Sequence, residues 1–322
     1  MHANRRTLLK AGLAVAAYGA ARAGAAPAGP VKLVVPYPAG GPADIVARAI
    51  AQPWSEALTR PIVIDNRAGA SGSLGADAVA KSAPDGNTLL LNPSIHIILP
   101  SLRKLPYDAV GDFTHLGVTA SVPLLLVVNN DVPASSVAEL VAHAKREAKG
   151  LSYATSSQGS SSHLAGEQLR LMAGVNVQQV PYKGSAPAIT DLIGGQVQMM
   201  FDSLPSILPF VRSGRVRALA VTTAARSGLM PAIPTMEESG YAGFQHANWY
   251  GVWGPANLPP AVSAELIRAL QVATRRQDVR ARLLELGADP VDGLYGDTFK
   301  EFAAREQARY ARLIRETGVK MD

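Results

Sequence analysis

The sequence of 322 residues contains no cysteine. This absence excludes thiol catalysis, disulfide bridges, and zinc or iron–sulfur sites with cysteine ligands. Charged residues make up only 17% of the chain and hydrophobic residues 48%, so the chain can bury substantial cores and is not a disordered polymer. Because a single core rarely serves more than roughly 200 residues, the length predicts two domains.

The chain also lacks a basic surface suited to nucleic acid, although its formal net charge is +6. Four basic residues and no acid lie within residues 1–23, so the rest of the chain carries a charge of only +2. The other basic residues are interleaved with acids, which is typical of solvated helix faces. Nucleic acid is therefore not an expected partner.

The amino terminus has the pattern of a cleaved export signal over residues 1–26. Arg5, Arg6 and Lys10 precede an uncharged stretch at 11–21, followed by small residues. An apolar run this short cannot cross a bilayer core, which needs about 20 residues, so a retained anchor is not expected. The pattern predicts a periplasmic protein, exported by a twin-arginine-like or general secretion route.

Hydrophobic periodicity predicts alternating strands and helices. Apolar runs at 31–35, 62–64 and 87–91 read as strands, with helical spacing at 42–58 between the first two. A second series starts at 151–154 and continues with helices near 163–173, 186–193 and 205–211. Such alternation favours a mostly parallel sheet covered on both faces.

The two series predict two α/β lobes joined by two crossover strands, at 123–128 and 249–253. The first lobe is discontinuous and comprises residues 27–125 and 249–322, because the helical tail from residue 259 is expected to pack back onto it. The second lobe comprises residues 126–248. A ligand cleft is expected between the lobes.

Each lobe opens with a strand, a loop of small residues and a helix, at 37–44 and at 155–163. The first turn of a helix has unpaired N–H groups and the positive end of the helix dipole, so it attracts anions. Gly40 and Gly159 allow a ligand close to the backbone, and nearby serines add hydroxyl donors. Two such loops facing each other could clamp a carboxylate; alternatively, they are ordinary turn and N-cap residues.

Other chemistries have weaker signals. His163 and Glu167 have the i, i+4 spacing of a metal-binding pair, but no third ligand is placed, so no metal site is predicted. The loop at 159–163 is not a G-x-S-x-G nucleophile elbow, since His163 stands where the second glycine is required. The spacing of Gly69, Gly72 and Gly75 does not fit a dinucleotide loop, and no cofactor is expected.

Six sequence blocks, in order along the mature chain, resemble the exported substrate-binding receptors of tripartite tricarboxylate transporters, the Bug receptors. They are residues 36–44, 65–75, 83–86, 180–184, 191–197 and 201–203. The resemblance implies the fold of a type II periplasmic binding protein and a receptor that is not an enzyme. It also implies ligand-binding residues in the two loops: Tyr37, Ala39 and Gly40 on one side, and Thr155, Ser156, Gly159, Ser160 and Ser161 on the other.

Four more residues complete the expected ligand-binding set. Asp44 and His163 fall at the loop-to-helix positions of the family, where a supporting role is expected. Asp202 matches a pocket-facing acid that either receives a ligand donor or caps a turn. Ser94 lies in the stretch 92–96, which replaces the glycine- and threonine-rich stretch of the family. Pro42 also departs from the family and removes a backbone donor from the first loop.

The resemblance implies a monomeric receptor that delivers a small carboxylate to a permease of one large and one small membrane subunit. Dicarboxylates, acidic amino acids and aromatic acids all remain compatible with the clamp. Tyr37 and Trp249 could favour a ring or could simply pack. The alternative functions are an exported esterase that uses a serine of the loop 159–162 and a receptor that feeds a signalling partner.

Overall fold

The computed structural model describes residues 29–148 and 150–320, so the expected signal peptide at 1–26 lies outside the described residues. The strands are β1 (Val31–Val35), β2 (Ile62–Asn66), β3 (Thr88–Pro93), β4 (Phe113–Val128), β5 (Leu151–Thr155), β6 (Val177–Pro181), β7 (Met199–Ser203), β8 (Arg217–Val221), β9 (Ala247–Pro255) and β10 (Asp289–Pro290). The helices are α1 (Pro42–Leu58), α2 (Ser73–Ala80), α3 (Ile95–Ile98), α4 (Val137–Arg146), α5 (Ser161–Ala173), α6 (Ser185–Ile193), α7 (Leu204–Arg212), α8 (Pro260–Arg275), α9 (Gln277–Glu285) and α10 (Asp297–Thr317).

Helix α1 shows why the elements form where they do. Its apolar residues recur every four positions, and Val46, Ile50 and Trp54 are completely buried against the sheet. Burial of each such side chain contributes about 1.5–3 kcal/mol of hydrophobic free energy. Pro42 occupies the first helical position, where the missing N–H group has no intrahelical partner to lose.

The strands form one mixed sheet in the order β2-β1-β3-β9-β4-β7-β5-β6. Strand β1 pairs in parallel with β2 and β3, and β5 pairs in parallel with β6 and β7. The centre is antiparallel, because β9 pairs antiparallel with β3 and β4, and β4 with β7 and β8. The prediction of a mostly parallel sheet was therefore wrong at its centre, where β4 and β9, the two strands that connect the halves of the sheet, run antiparallel to their neighbours.

Strand β4 links the two halves of the sheet. Its residues 113–123 pair with β9, and its residues 124–128 pair with β7 and β8. We call β1–β3, β9, β10, α1–α3 and α8–α10 the first unit, and β5–β8 with α4–α7 the second unit. The chain leaves the first unit along β4 and returns to it along β9.

Each unit has its own buried apolar residues on both faces of its part of the sheet. Trp54, Leu270 and Leu283 belong to one cluster of the first unit, in which helices α1, α8 and α9 cover the sheet. The tail helices thus pack onto the first unit. In the second unit, Phe201 and Met200 point to opposite faces of β7 and belong to different clusters. Within the described ranges, none of the helices combines the length and apolar character needed to span a bilayer.

Candidate functional site

The two predicted loops, after β1 and after β5, are fixed by the same kind of hydrogen bond, from a glycine amide to a side chain of the following helix. Gly40 and Gly159 have φ angles of +79° and +74°, in the left-handed region that favours glycine. The amide of Gly40 donates to Oδ2 of Asp44 at 2.9 Å, and the amide of Gly159 donates to Nδ1 of His163 at 3.0 Å. In both loops, therefore, a side chain of the first helical turn fixes the glycine four residues before it.

The Asp44 carboxylate is 2% exposed and holds the first loop from behind. Besides the Gly40 amide, it accepts hydrogen bonds from Arg48 Nε at 2.8 Å and Asn66 Nδ2 at 3.1 Å. Burial acts to raise the pKa of Asp44, but these hydrogen bonds and the Arg48 charge outweigh it, so the pKa lies below its ordinary value. Asp44 is thus ionised, and its carboxylate oxygens are occupied by hydrogen bonds within the protein.

The His163 side chain is 4% exposed and supports the second loop. Because Nδ1 accepts from a backbone N–H, the ring is neutral and carries its proton on Nε2. Burial lowers the pKa of His163, and the Glu167 carboxylate only partly opposes this effect. The imidazole is therefore a structural acceptor at neutral pH.

A cavity of about 90 Å³, the inner cavity, lies between the units and has room for several water-sized groups. The amino-terminal ends of α1, α5 and α6 all reach its walls. The first-turn N–H groups of these helices have no intrahelical partners and supply hydrogen-bond donors to the walls, except at Pro42 and Pro187, which have no N–H, and at His163, whose amide donates to Ser160. The lining residues are Tyr37, Pro38, Ala39, Gly41, Pro42, Ala43, Pro93, Ile95, Ser156, Ser157, Ser160, Lys183, Gly184, Ser185, Ala186, Pro187, Ser203, Asn248 and Tyr250.

A second space of about 700 Å³, the outer chamber, adjoins the inner cavity. Both spaces are lined by Tyr37, Pro38, Ser156, Ser157, Lys183 and Gly184. The outer chamber continues along the turn from Ala68 to Gly72 and along residues 181–182. It forms the approach from solvent to the inner cavity.

The turn at residues 69–72 closes part of this approach. Four consecutive residues have positive φ angles, including Ala70 at 47° and Ser71 at 56°, which is strained for residues with a Cβ atom. The Tyr37 hydroxyl donates to the Ser71 carbonyl at 3.2 Å, and the Ser71 hydroxyl donates to the Gln158 carbonyl at 3.2 Å. The second of these bonds joins the two units across the cleft.

The structure places four of the predicted ligand-binding residues on the walls of the inner cavity, namely Tyr37, Ala39, Ser156 and Ser160. The Ser160 hydroxyl is the N-cap of α5, and it donates to the Ser157 carbonyl at 2.7 Å. Gly40, Asp44, Gly159 and His163 form the loop supports described above. Thr155 is completely buried, and its hydroxyl accepts from Gln179 at 2.9 Å.

Two further predicted residues, Ser94 and Ser161, are completely buried and meet between the units. Their hydroxyl oxygens lie 3.2 Å apart, and Ser161 also lies 3.4 Å from the Tyr310 hydroxyl of α10. Asn248 continues the contact, since its amide donates to the Ser203 hydroxyl of the second unit at 2.9 Å. This polar group joins the units below the cavity.

The last predicted residue, Asp202, is the penultimate residue of β7, lies behind the start of α6 and is 1% exposed. Its carboxylate accepts from the Ser185 hydroxyl at 2.8 Å and from the Ser206 hydroxyl. Burial raises the pKa of Asp202 to about 6, against the opposing effect of these hydrogen bonds. Asp202 thereby orients Ser185 on the cavity wall.

Sequence reasoning missed the third helix end, formed by Lys183, Gly184 and Ser185, and two residues of β9, Asn248 and Tyr250. The helix end was detectable, because a strand, a glycine and a helix follow one another there as in the other two loops. Asn248 and Tyr250 gave no such signal, since they reach the cavity only through the position of β9. Trp249, between them, instead packs on Trp253, Phe299 and Phe302.

The arrangement offers donors but no reactive group. In the part of the chain that the structure describes, no serine hydroxyl of residues 156–162 is hydrogen-bonded to a histidine ring, as a serine hydrolase would require. Glu167 is engaged by Tyr153 and Arg170, and no group of three metal-ligating side chains occurs among these residues. The site is suited to binding an anion without converting it.

Comparisons with known proteins give matches over most of the chain. A family model described as tripartite tricarboxylate transporter family receptor matches residues 46–319. Protein BugT of Bordetella pertussis is 38% identical over 298 residues, which are 92% of this chain and 91% of that protein. The structure of R. palustris Rpa4515 with adipate is 37% identical with a TM-score of 0.87, covering 91% of this chain and 99% of that chain. The structure of MatC (Rpa3494) from Rhodopseudomonas palustris with bound malate is 32% identical with a TM-score of 0.84, covering 89% and 99% of the two chains.

These matches define first the class of protein: the fold is that of a type II periplasmic binding protein, as expected from the sequence. The chain belongs to the tripartite tricarboxylate transporter receptor family, which includes the Bug proteins. The members of this family are solute-binding receptors and not enzymes.

Proposed function

We propose that this protein is an exported, monomeric receptor that captures a small organic carboxylate and delivers it to a permease of one large and one small membrane subunit. In this proposal the lobes are residues 27–125 with 249–322, and residues 126–248. The ligand is a dicarboxylate, an acidic amino acid or an aromatic acid. The signal peptide at 1–26 directs the protein to the periplasm.

The observation that carries the proposal is the convergence of three helix amino termini on one cavity. A carboxylate that enters the cavity loses its hydration, and that loss is costly unless fixed donors replace the water. Backbone amides of α1, α5 and α6 and the hydroxyls of Ser156 and Ser157 supply such donors. The cleft therefore favours a negatively charged group over a neutral one.

The relatives support the chemical class of the ligand. Two of the similar solved structures are described with adipate and with bound malate, both of which carry two carboxylates. This chain shares their fold. Its Gly40 amide is bonded to Asp44 and its Gly159 amide to His163, and these two bonds hold in place the loops that would contact the carboxylate. A small carboxylate is the ligand that both arguments favour.

In this proposal, closure of the cleft is the change that lets a permease recognise the receptor with its ligand bound. The bond from Ser71 to Gln158 and the contact between Ser94 and Ser161 join the two units, and movement of the units apart would break both. A ligand that contacts both units shifts the population toward this state, and the permease then recognises the closed surface. A receptor that feeds a sensor would use the same closure, and co-purification with permease subunits or with a kinase separates the two partners.

A thermal-shift screen of the mature protein against about a hundred carboxylic acids is the direct test. We expect stabilisation by some acids and no effect of neutral sugars, because ligand binding to the folded state alone raises the unfolding temperature. Isothermal titration of adipate and malate then gives the affinity. Stabilisation by sugars and by none of the acids would refute the ligand class, and turnover of a chromogenic ester would refute the receptor.

A further inference from the structure

The carboxyl group of Asp202 lies directly behind the wall of the inner cavity. Ser185 and Ser203 both line the cavity, and Asp202 precedes Ser203 in β7 and accepts a 2.8 Å hydrogen bond from the Ser185 hydroxyl. The Asp202 side chain is 1% exposed, so water solvates it hardly at all. A ligand carboxylate in the cavity would be separated from Asp202 by a single side chain.

The Ser206 hydroxyl shows how Asp202 can hold a proton. Its oxygen is within hydrogen-bond distance of Oδ2 of Asp202 and lies 2.8 Å from the Ser203 carbonyl oxygen, and both atoms are acceptors when Asp202 is ionised. A hydroxyl has one hydrogen and cannot donate to both. With a proton on Oδ2, Asp202 donates to Ser206 and Ser206 donates to the Ser203 carbonyl, so all three groups are satisfied.

The strand neighbours of Asp202 are uncharged. Its partner on β4 is Leu125, and β5 pairs with β7 at Met200, two residues before Asp202. Tyr250 of β9 lies close enough for Asp202 to act on it. Burial, with a smaller effect from Asp202, raises the pKa of Tyr250 and keeps its hydroxyl protonated.

The charged groups of the neighbouring helices lie away from Asp202. Asp191 and Arg212 are in the last turns of α6 and α7, Lys183 precedes α6, and His163 is on α5, which packs on the opposite face of β7. Among the described residues, the influences on the pKa of Asp202 are burial, which raises it to about 6, and hydrogen bonds, which oppose the rise. The charge of a ligand would therefore be the main charge that acts on this carboxyl group.

We propose that Asp202 binds a proton when an organic acid enters the inner cavity, so that ligand capture is linked to proton uptake. The inference rests on the proposed function, namely that a carboxylate occupies this cavity. Two negative charges on either side of Ser185 would repel each other strongly in a buried setting, and a proton on Oδ2 removes the repulsion without loss of a hydrogen bond. By thermodynamic linkage, the affinity for the acid must then rise as the pH falls.

Isothermal titration at about pH 7 in two buffers of different ionisation enthalpy, PIPES and imidazole, counts the protons taken up with malate or adipate. We expect an uptake of about 0.4–0.8 proton per ligand, because Asp202 is mostly ionised before binding and largely protonated afterwards. The dissociation constant should rise about fourfold to tenfold from about pH 6 to about pH 7.5. An acid that binds without proton uptake would overturn the inference. If no carboxylate binds at all, the proposed function itself fails.

The Asp202→Asn variant assigns the proton to this residue. An amide is neutral like the protonated carboxyl group, and it can donate to Ser206 and accept from Ser185 in the same way. We expect an uptake near zero and a dissociation constant that changes less than about twofold over the same pH range. Asp131→Asn, at an exposed carboxyl group of the same unit, is the control and should keep the uptake of the unmodified protein. Uptake that persists in Asp202→Asn would place the proton on another group, such as His163, and would overturn the role of Asp202.

Discussion

The amide of Gly159 donates a hydrogen bond of 3.0 Å to Nδ1 of His163, at the start of α5. The bond from Gly40 to Asp44 has the same sequence separation and nearly the same length, 2.9 Å. The acceptor is a neutral imidazole in the second unit and a carboxylate in the first. Both side chains therefore act as positioning residues, which hold the donors of the loops in place without facing the cavity.

Replacing His163 with Leu removes the acceptor of Gly159 while keeping a buried apolar side chain. We expect the second loop to lose its shape and the dissociation constant of the bound acid to rise about tenfold, since one hydrogen bond contributes about 1 kcal/mol and its loss frees the loop. Isothermal titration with malate or adipate measures the change. His143→Leu, on α4, is the control, and equal affinities for the two variants would show that the Gly159 bond does not position the loop.

The close contact between Gly72 and Tyr37 provides a second prediction. A Cβ atom at position 72 would lie 2.8 Å from the Tyr37 hydroxyl, and φ at this position is +87°. Gly72→Ala is therefore expected to push Tyr37 out of the cavity wall, to lower the free energy of unfolding by about 2–3 kcal/mol and to weaken ligand binding.

Gly240→Ala is the control that separates the steric clash with Tyr37 from the strain of a left-handed backbone. Gly240 has a φ of +96°, but a Cβ atom there would meet nothing within 4 Å. It should lower the stability by about 1–2 kcal/mol, the cost of the left-handed backbone alone, and leave ligand affinity intact. Urea unfolding and titration of both variants check the prediction, which fails if Gly72→Ala binds ligand as well as Gly240→Ala does.

The sequence was sufficient for local structure where periodicity was strong. Strand β1 and helix α1 fall at the predicted residues, because Val46, Ile50 and Trp54 mark one helical face and the chain on both sides is punctuated by proline and glycine. The antiparallel centre of the sheet was not predicted, since the pairing of β4 with β9 joins residues more than a hundred positions apart. Sequence periodicity gives the length of a strand but not the direction of its partner.

The site was predictable at the level of loops but not of individual side chains. Small residues before a helix indicated two loops, and residues of both loops line the inner cavity. Within them, however, Ser161 and Thr155 point into the protein and Ser156 into the cavity. That difference depends on how each loop is held by Gly159 and by β6. Asn248 reaches the site through the register of β9 against β4, where it pairs with Val122, and no local pattern reveals this register.

The hydrogen bond from Ser71 to Gln158 leads to a kinetic prediction. Because it joins the units across the approach to the cavity, it stabilises the closed state in which ligand is trapped. We expect Ser71→Ala to raise the dissociation rate of bound acid about threefold to tenfold and to leave the association rate nearly unchanged. Stopped-flow displacement measures both rates.

Ser82→Ala is the matched control for this kinetic measurement. Its hydroxyl also donates to a backbone carbonyl, that of Val79 at 2.8 Å, but both residues belong to the first unit. The control should leave the dissociation rate unchanged. Equal dissociation rates for Ser71→Ala and the unmodified protein would mean that the cleft is held closed by other contacts.

Asp202 provides a pH-dependent prediction. Its pKa is raised from 3.8 to about 6 by burial, so folding favours the protonated form. The stability that this group contributes is present at low pH and is lost as the pH rises through about 6, where the buried carboxyl ionises. Relative to the unmodified protein, Asp202→Asn should therefore be more stable at about pH 7.5 than at about pH 5, by about 1 kcal/mol.

Urea unfolding of both proteins at the two pH values gives the stability difference between Asp202→Asn and the unmodified protein at each pH. The change of this difference between the two pH values is the predicted quantity, because the contributions of all other titrating groups cancel in it. Asp131→Asn, which removes an exposed carboxyl group of the second unit, is the control and should show no such change. If Asp202→Asn instead gains relative stability as the pH falls, Asp202 is held ionised in the folded protein. Its hydrogen bonds from Ser185 and Ser206 would then outweigh its burial, and the α6 end of the cavity would keep its negative charge at pH 5 as well as at pH 7.5.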